Sequence, residues 1–263
     1  MGSSTREALS EARASLETVS NADLATGEQV LSAGRVIGES TPLLSALVDA
    51  TADSKDKVSI VDAVFAAYTP TAKKLLGAIA SSRWSDGDDL LAGIEEIGFR
   101  VLAKSAAATA SIEDELFTFG TAVNSDPALE LAVSSKLGSA DAKAALVRSL
   151  LGTKSSKQTA AILEHLVQQP RGRRIGELLK DAASAVADER GFAIATVTTA
   201  ADLSTAQLER LTKALGASYG REIHVNHVID RSIVGGLRVQ IGDDVIDGTI
   251  ASRLTDLRLQ LAS

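Results

Sequence analysis

Apolar residues in the first 190 positions recur at steps of three and four, the spacing that places side chains on one face of an α-helix. Leu9, Ala12 and Leu16 follow this spacing near the N-terminus. Ser4 and Glu7, just before them, match the capping box that begins many helices. The pattern predicts a series of amphipathic helices over residues 4–190.

Proline positions predict further helix starts and also show an internal repeat. Thr41-Pro42 and Ser125-Asp126-Pro127 each place a capping side chain before a proline, and the two prolines are 85 residues apart. At an offset of 86 residues, Lys57, Ile60 and Val61 match Lys143, Leu146 and Val147. At an offset of 87 residues, Leu75, Leu76 and Leu91 match Ile162, Leu163 and Leu178. We therefore expect residues 1–105 and 106–190 to be two copies of one unit of five or six helices.

After Arg190 the pattern changes to alternation with β-branched residues, which is typical of strands. Strands are predicted at 192–199, 223–229, 237–241 and 245–246. A helix with a Ser204 to Gln207 capping box and an end at Gly216 separates the first two strands, and Ile250, Leu254, Leu257 and Leu261 predict a last helix. The predicted fold class is mainly α: two tandem helical bundles followed by a small C-terminal α+β domain at 191–263.

Composition narrows the possible functions. Aromatic residues make up 3% of the chain and cysteine is absent, which favours helix-on-helix packing and excludes disulfides and thiolate chemistry. The net charge is −7 and no segment is net basic, so the chain lacks the charge of a nucleic-acid-binding surface. Apolar stretches are too short to span a bilayer, and the N-terminus has no secretory signal. We expect a soluble, cytoplasmic protein.

The stretch DRSIVGGLRVQIGDDVIDGTI, residues 230–250, could hold phosphate, hold a metal or form a plain hairpin. A phosphate loop needs a lysine where Asp243 follows Gly242, and the spacing of a calcium loop is missing. A dinucleotide fingerprint would precede a helix, whereas Gly235-Gly236 precedes a strand. We interpret Gly235-Gly236 as a bend or bulge and Gly242-Asp243-Asp244 as a hairpin turn, with Asp247 or Thr249 capping the last helix.

No catalytic, cofactor or metal site is predicted. His165 is expected within a helix at 157–168, at the boundary between core and surface. His224 and His227 should point to opposite faces of a strand, so they cannot share a metal. The carboxylates Glu95-Glu96 and Glu113/Glu115 are expected on solvated helix faces, where general acid–base chemistry is not favoured.

The basic segment QPRGRR, with Arg171, Arg173 and Arg174, is interpreted as an exposed turn between helices. The functional interpretation is a contact with an acidic partner. Trp84 occupies the matching turn of the first copy and is expected to pack rather than to stack on a base.

The run IHVNHVIDRSIVGGLRVQIG, residues 223–242, resembles the signature of the delta subunit of F-type ATP synthase, which is related to the mitochondrial oligomycin-sensitivity-conferring protein. The similarity extends through Ser125-Asp126-Pro127 and 192–208 to cover about 106–263. The matching signature positions, expected to be structural, are Ile223, Val225, Asp230, Ile233, Gly235, Gly236, Leu237, Val239, Gly242, Asp247 and Gly248.

The resemblance implies a non-catalytic subunit of the peripheral stalk, or stator, which couples proton-driven rotation to ATP synthesis. It implies that residues 106–190 bind the α3β3 head and receive N-terminal helices of α subunits. The 191–263 domain would contact the end of the b subunit, on the cytoplasmic face of the membrane. Residues 1–105 would be a duplicated extension. No cofactor, small-molecule ligand or nucleic acid is expected; the alternative function is an all-helical nucleic-acid adaptor.

Overall fold

The computed structural model describes residues 2–20, 22–134, 138–152 and 154–250. It divides into two compact units between Val186 and Ala187. The first unit is helical and the second contains a four-stranded sheet, so the described residues confirm the predicted mainly α fold with a C-terminal α+β domain. The predicted last helix continues past residue 250 and lies outside the described residues.

Six helices form the part of the chain predicted as the first copy. They are α1 (Ser3–Glu17), α2 (Leu24–Glu39), α3 (Thr41–Val48), α4 (Ser54–Val64), α5 (Pro70–Ser81) and α6 (Gly87–Ser105). Their apolar stripes meet in one core, in which Leu16, Val30 and Ile97 have no exposed surface. Trp84 is 4% exposed and donates from Nε1 to the Ile79 carbonyl at 2.8 Å, which confirms that it packs.

Five helices follow, and their order matches α2 to α6. They are α7 (Ile112–Ser125), α8 (Pro127–Ser134), α9 (Ala140–Leu151), α10 (Lys157–Gln168) and α11 (Ile175–Glu189). Helices α5 and α10 have 12 residues each. Lys57 and Lys143, matched by the repeat, are both buried. The division into two copies at 105/106 stays a prediction.

Helix α6 is the most enclosed helix of the first unit. It buries twelve of its 19 residues, on every side of the helix. Glycines let its neighbours approach closely: a Cβ on Gly98 would lie 2.4 Å from Leu31 of α2, and a Cβ on Gly93 would lie 2.1 Å from the Trp84 ring. It packs against α1, α2, α3, α5 and α10, and so touches helices of both predicted copies.

The second unit follows the predicted order of strands and helix. Its elements are β1 (Phe192–Thr199), α12 (Thr205–Tyr219), β2 (Glu222–Ile229), β3 (Leu237–Ile241) and β4 (Asp244–Asp247). The strand order is β2-β1-β3-β4, with β1 parallel to β2 and antiparallel to β3. One face of the sheet packs against Leu211 and Leu215 of α12.

Three predicted helix ends are wrong. Helix α1 begins at Ser3 after Gly2, without a side-chain cap, so Ser4 and Glu7 lie inside its first turns. Ser40, not Thr41, caps α3 by accepting from the Leu43 amide. Helix α12 continues through Gly216 and ends at Gly220, whose φ of 65° is left-handed. The capping box of Ser204 and Gln207 and the cap at Asp126 are confirmed.

Candidate functional site

The signature residues Asp230 to Gly236 form the connection between β2 and β3. The Asp230 amide donates to the Thr199 carbonyl at 2.8 Å, which fixes the start of the connection to the end of β1. The Asp230 carboxylate accepts from the amide and hydroxyl of Ser232 at 2.9 and 2.7 Å. These hydrogen bonds lower the pKa of Asp230 and hold the loop in a tight turn.

The glycine pair brings this loop against the second signature segment. Gly235 and Gly236 have φ of 74° and 83°, which other residues rarely adopt. A Cβ on Gly236 would lie 2.5 Å from the Gly248 carbonyl oxygen. The Gly248 amide donates to Leu237 and the Ile250 amide to Gly235. Backbone therefore packs directly on backbone here.

The remaining signature residues shape the sheet. Ile223, Val225, Leu237 and Val239 lie on the face that packs against α12, and Ile233 is half-buried in the β2–β3 loop. Gly242 has φ of 56° in the turn between β3 and β4. Asp247 accepts from the Thr249 amide at 3.0 Å, and this hydrogen bond lowers its pKa.

A groove of about 560 Å³ runs along the sheet beside this loop. Its lining is mixed, with Thr198, Asp230, Arg238 and Gln240 next to Ile233. Large apolar side chains stand exposed in and near the loop and β4: Ile229 (46%), Val234 (69%), Val245 (45%), Ile246 (49%) and Ile250 (48%). Val234 lines this groove. Ile229 on β2 and the two exposed residues of β4 lie at opposite edges of the sheet, and Val245 and Ile246 point to opposite faces. Exposed apolar side chains of this size are typical of surfaces that another chain covers.

The two histidines of β2 lie on opposite faces, as predicted. His224 stacks on the Phe192 ring at 3.9 Å between centroids, and His227 Nε2 lies 2.6 Å from the Thr199 hydroxyl. Within the described residues no group of three or more histidines and carboxylates could hold a metal ion.

A buried charge cluster that was not predicted from the sequence lies in the helical unit. Glu95 of α6 is 5% exposed and accepts from Arg173 Nη2 at 2.7 Å and from Arg171 Nη2. His165 of α10 is 1% exposed, with Nε2 at 3.1 Å from the Glu95 carboxylate. Arg35 of α2 approaches the other ring nitrogen, Nδ1, at 3.1 Å.

Burial and the neighbouring charged groups shift the pKa values of Glu95 and His165 in opposite directions. Burial raises the pKa of Glu95, but the hydrogen bond from His165 and the nearby Arg171 and Arg173 lower it to about 2. Burial lowers the pKa of His165 and outweighs the opposite effect of Glu95. At pH 7 the carboxylate is charged and the imidazole neutral, so the charge that balances Glu95 is that of the arginines.

Four sequence predictions are therefore wrong. Glu95 and Glu113 are buried rather than solvated; α6, which carries Glu95, is buried on every side. His165 is fully enclosed rather than at the boundary between core and surface. The QPRGRR segment is a turn between α10 and α11, as predicted, but it is not fully exposed, since Arg171 and Arg173 turn inward to Glu95. One available signal was the placement of Glu95 between Ile94 and Ile97, within an apolar run.

Known proteins were compared with the whole chain. The model of the family described as ATP synthase delta (OSCP) subunit matches residues 100–261. A Leifsonia xyli protein described as ATP synthase subunit delta is 51% identical over 100% of both chains. Proteins with the same description from Streptomyces avermitilis and Streptomyces griseus are each 34% identical, over 98% and 100% of both chains.

A solved structure gives a weaker likeness. A chain of the Toxoplasma gondii mitochondrial ATP synthase hexamer matches with a TM-score of 0.44 and 20% identity, over 64% of this chain and 96% of that chain. That likeness is too low to support a structural argument. The match of the family model over more than half of the chain, and the relatives aligned along its whole length, are sufficient: the chain belongs to the ATP synthase delta (OSCP) subunit family.

Proposed function

We propose that the chain joins the α3β3 head of ATP synthase to the b subunit through two separate surfaces, one on each compact unit. As a member of its family, the chain is a non-catalytic subunit of the peripheral stalk and a part of the ATP synthase. Such a subunit works by binding alone, because the head must be held while the rotor turns. Its interfaces therefore need a large apolar contact area, so that the partner subunits dissociate slowly.

The C-terminal surface is the proposed seat of the b subunit. The observation that carries this assignment is the exposure of Val234 (69%) in the signature loop and of Val245 (45%) on β4. Val234 lines the mixed groove on the sheet, and Val245 pairs with Gln240, which lines it too. Apolar side chains with a polar rim suit the apolar face of a partner helix. The signature glycines have a structural role, because their positive φ angles allow the conformation of the loop.

The helical unit is the proposed seat of the head, with residues 106–190 as the bundle that binds it and 1–105 as its duplicated extension. Open grooves between helices support the placement of the head on this unit, and helices of the 1–105 extension line both of them. One of about 330 Å³ lies between α2 and α10, and one of about 430 Å³ between α4 and α5. The second has small residues, Gly77 and Ala78, at which a partner helix can approach closely. N-terminal helices of α subunits, with contacts to β subunits beside them, are the proposed partners.

Membrane association follows from the complex. None of the described helices is long and apolar enough to cross a bilayer. We place the chain at the cytoplasmic face of the membrane through its partners.

No finding supports the nucleic-acid alternative. Its main sequence feature was the QPRGRR turn, and two of the three arginines of that turn bind Glu95 inside the protein. A phosphate backbone would have to compete with that carboxylate.

Co-purification of paired variants tests the two-surface arrangement. We expect Val234→Asp with Val245→Asp to abolish recovery of the b subunit from solubilised membranes, while α and β subunits are still retrieved. The matched control is Leu131→Asp, because Leu131 is 70% exposed on α8, far along the chain from the sheet. It should leave b recovery unchanged. Full recovery of b with the double variant would refute the assignment of the C-terminal surface.

A further inference from the structure

Three helices and one loop meet around His165. Helix α10 carries His165 and packs against α2 and α6. The loop after α10 crosses over the same two helices: Gln169 Nε2 donates to the Gly34 carbonyl at 3.2 Å, and Arg171 Nη1 to the Asp88 carbonyl at 3.1 Å. The sequence predicts α2 in one copy and α10 in the other. His165 therefore lies in the seam between the copies.

The partners of His165 determine its protonation. A guanidinium only donates hydrogen bonds, so the contact from Arg35 makes Nδ1 an acceptor without a proton. Nε2 then carries the ring proton and donates it to Glu95. His165 is thus a neutral imidazole between a cation on α2 and an anion on α6. The Phe99 ring lies edge-on to it, with centroids 6.1 Å apart.

Charged groups surround His165 from every element that packs on it. Glu95 of α6 is the charged partner that favours the imidazolium through a direct hydrogen bond, whereas Arg35 and Arg171 oppose it. The charged groups farther out are Glu28 and Glu39 of α2, Glu115 of α7 bound to Thr159, Lys157 and Glu164 of α10, Arg148 of α9 bound to Glu164, Arg173 of the loop, and Asp181 of α11 bound to Arg173. Burial lowers the pKa of His165 despite Glu95.

We propose that His165 is a proton-sensitive latch that holds α2 against α10. When a proton from solvent adds to Nδ1, the new N–H points at the Arg35 guanidinium, and two donors face each other. The hydrogen bond between α2 and α10 is lost, while the one from Nε2 to Glu95 remains. The seam then opens on the side of the groove of about 330 Å³, which both Arg35 and His165 line. The latch does not depend on which partner binds the chain.

The size of the effect follows from proton linkage. In an open seam His165 is solvated and titrates near its ordinary pKa of about 6.5, whereas the closed seam excludes the charged form. The ratio of open to closed seam therefore rises by about tenfold between pH 7.5 and pH 5.5. Acid favours the open form, because the open form binds more protons.

Hydrogen exchange of backbone amides, corrected for the intrinsic pH dependence of exchange, measures this opening. We expect the protection of α2 and α10 to fall by about tenfold from pH 7.5 to pH 5.5, with α4 unchanged as an internal reference. His165→Gln should remove the pH dependence. Glu96→Gln is the matched control: its carboxylate binds Arg13 and Arg100 within the first predicted copy, so the wild-type pH dependence should remain.

The nitrogen-15 spectrum of His165 gives a second measurement that does not need a folded variant. The chain has only three histidines, and His224→Gln and His227→Gln assign the other two. We expect a neutral ring with the proton on Nε2 at pH 7. A proton on Nδ1, a charged ring at pH 7, or seam protection that is independent of pH would overturn the latch. So would a His165→Gln variant that keeps the pH dependence.

Discussion

The two compact units handle apolar and charged residues in opposite ways. The helical unit buries charged side chains, among them Lys57, Glu95 and Lys143. Among the described residues the sheet unit, which has fewer than half as many residues, leaves five large apolar side chains at least 45% exposed, against three in the helical unit: Val64, Leu131 and Leu150. Burying charge is costly unless partners compensate it, and exposing apolar surface has a cost in water. The helical unit therefore encloses charge, at Glu95 with ion pairs to Arg171 and Arg173, whereas the sheet unit exposes more apolar surface for its size.

The largest expected effect lies in the buried cluster. Glu95→Gln removes the charge that balances Arg171 and Arg173, so it should lower the free energy of unfolding by about 3–5 kcal/mol. Urea unfolding followed by fluorescence of Trp84, the single tryptophan of the chain, measures it in the helical unit. Glu17→Gln should cost about 1 kcal/mol or less, because the Glu17 side chain, which binds Lys104, is 67% exposed. Equal losses in both variants would contradict the distinction.

The difference in free energy of unfolding between wild type and Glu95→Gln should also depend on pH. The pKa of Glu95 is lowered from 4.5 to about 2 in the folded chain. A carboxylate whose pKa is lowered by folding stabilises the folded state at pH values above its pKa in the unfolded chain. This stabilisation is lost as the pH falls and the carboxylate of the folded chain becomes protonated. The difference should thus be full at neutral pH and shrink as pH falls from about 4.5 to about 2. Urea midpoints measured across this range test it.

In the sheet unit the largest effect should come from backbone contact. Gly236→Ala places a Cβ 2.5 Å from the Gly248 carbonyl in addition to its left-handed φ, so we expect a loss of about 2–4 kcal/mol. Gly242→Ala, also at positive φ but with nothing within 4 Å of its Cβ, should cost only about 1–2 kcal/mol. Hydrogen exchange of the β1 and β3 amides reports both variants. A Gly236→Ala loss no larger than that of Gly242→Ala would exclude a role for the close packing.

The smallest effect is expected at the exposed apolar side chains. Val234→Ser should change the free energy of unfolding by less than about 0.5 kcal/mol, because Val234 is 69% exposed. Thermal unfolding of the isolated chain measures it. Val239→Ser, 2% exposed on β3, is the buried counterpart and should cost about 2 kcal/mol or more. A large loss at Val234 would mean that this side chain supports the fold instead of facing a partner.

Elements with local signals could be predicted from the sequence. The alternation in 192–199 and 237–241 gave β1 and β3, and the Ser204 and Gln207 pair gave the start of α12. The end of α12 was misplaced because a single glycine inside a helix costs only about 1 kcal/mol, which the helix tolerates at Gly216.

The buried cluster could not be predicted in the same way. The spacing of apolar residues along a helix identifies one buried face. Helix α6 is buried on all sides, so this spacing does not predict the burial of Glu95. Its partner Arg171 is 76 residues away in the chain. Spacing along the sequence does not encode such a pairing, so the arginines were taken for a free surface.

The enclosed position of α6 has a consequence for any shortened form of the protein. Helix α6 packs against helices on both sides of the boundary predicted at 105/106. A chain cut at this boundary would therefore lose a helix against which α10 packs. A chain beginning at residue 106 would keep the signature loop but would expose His165 and leave Arg171 and Arg173 without their carboxylate.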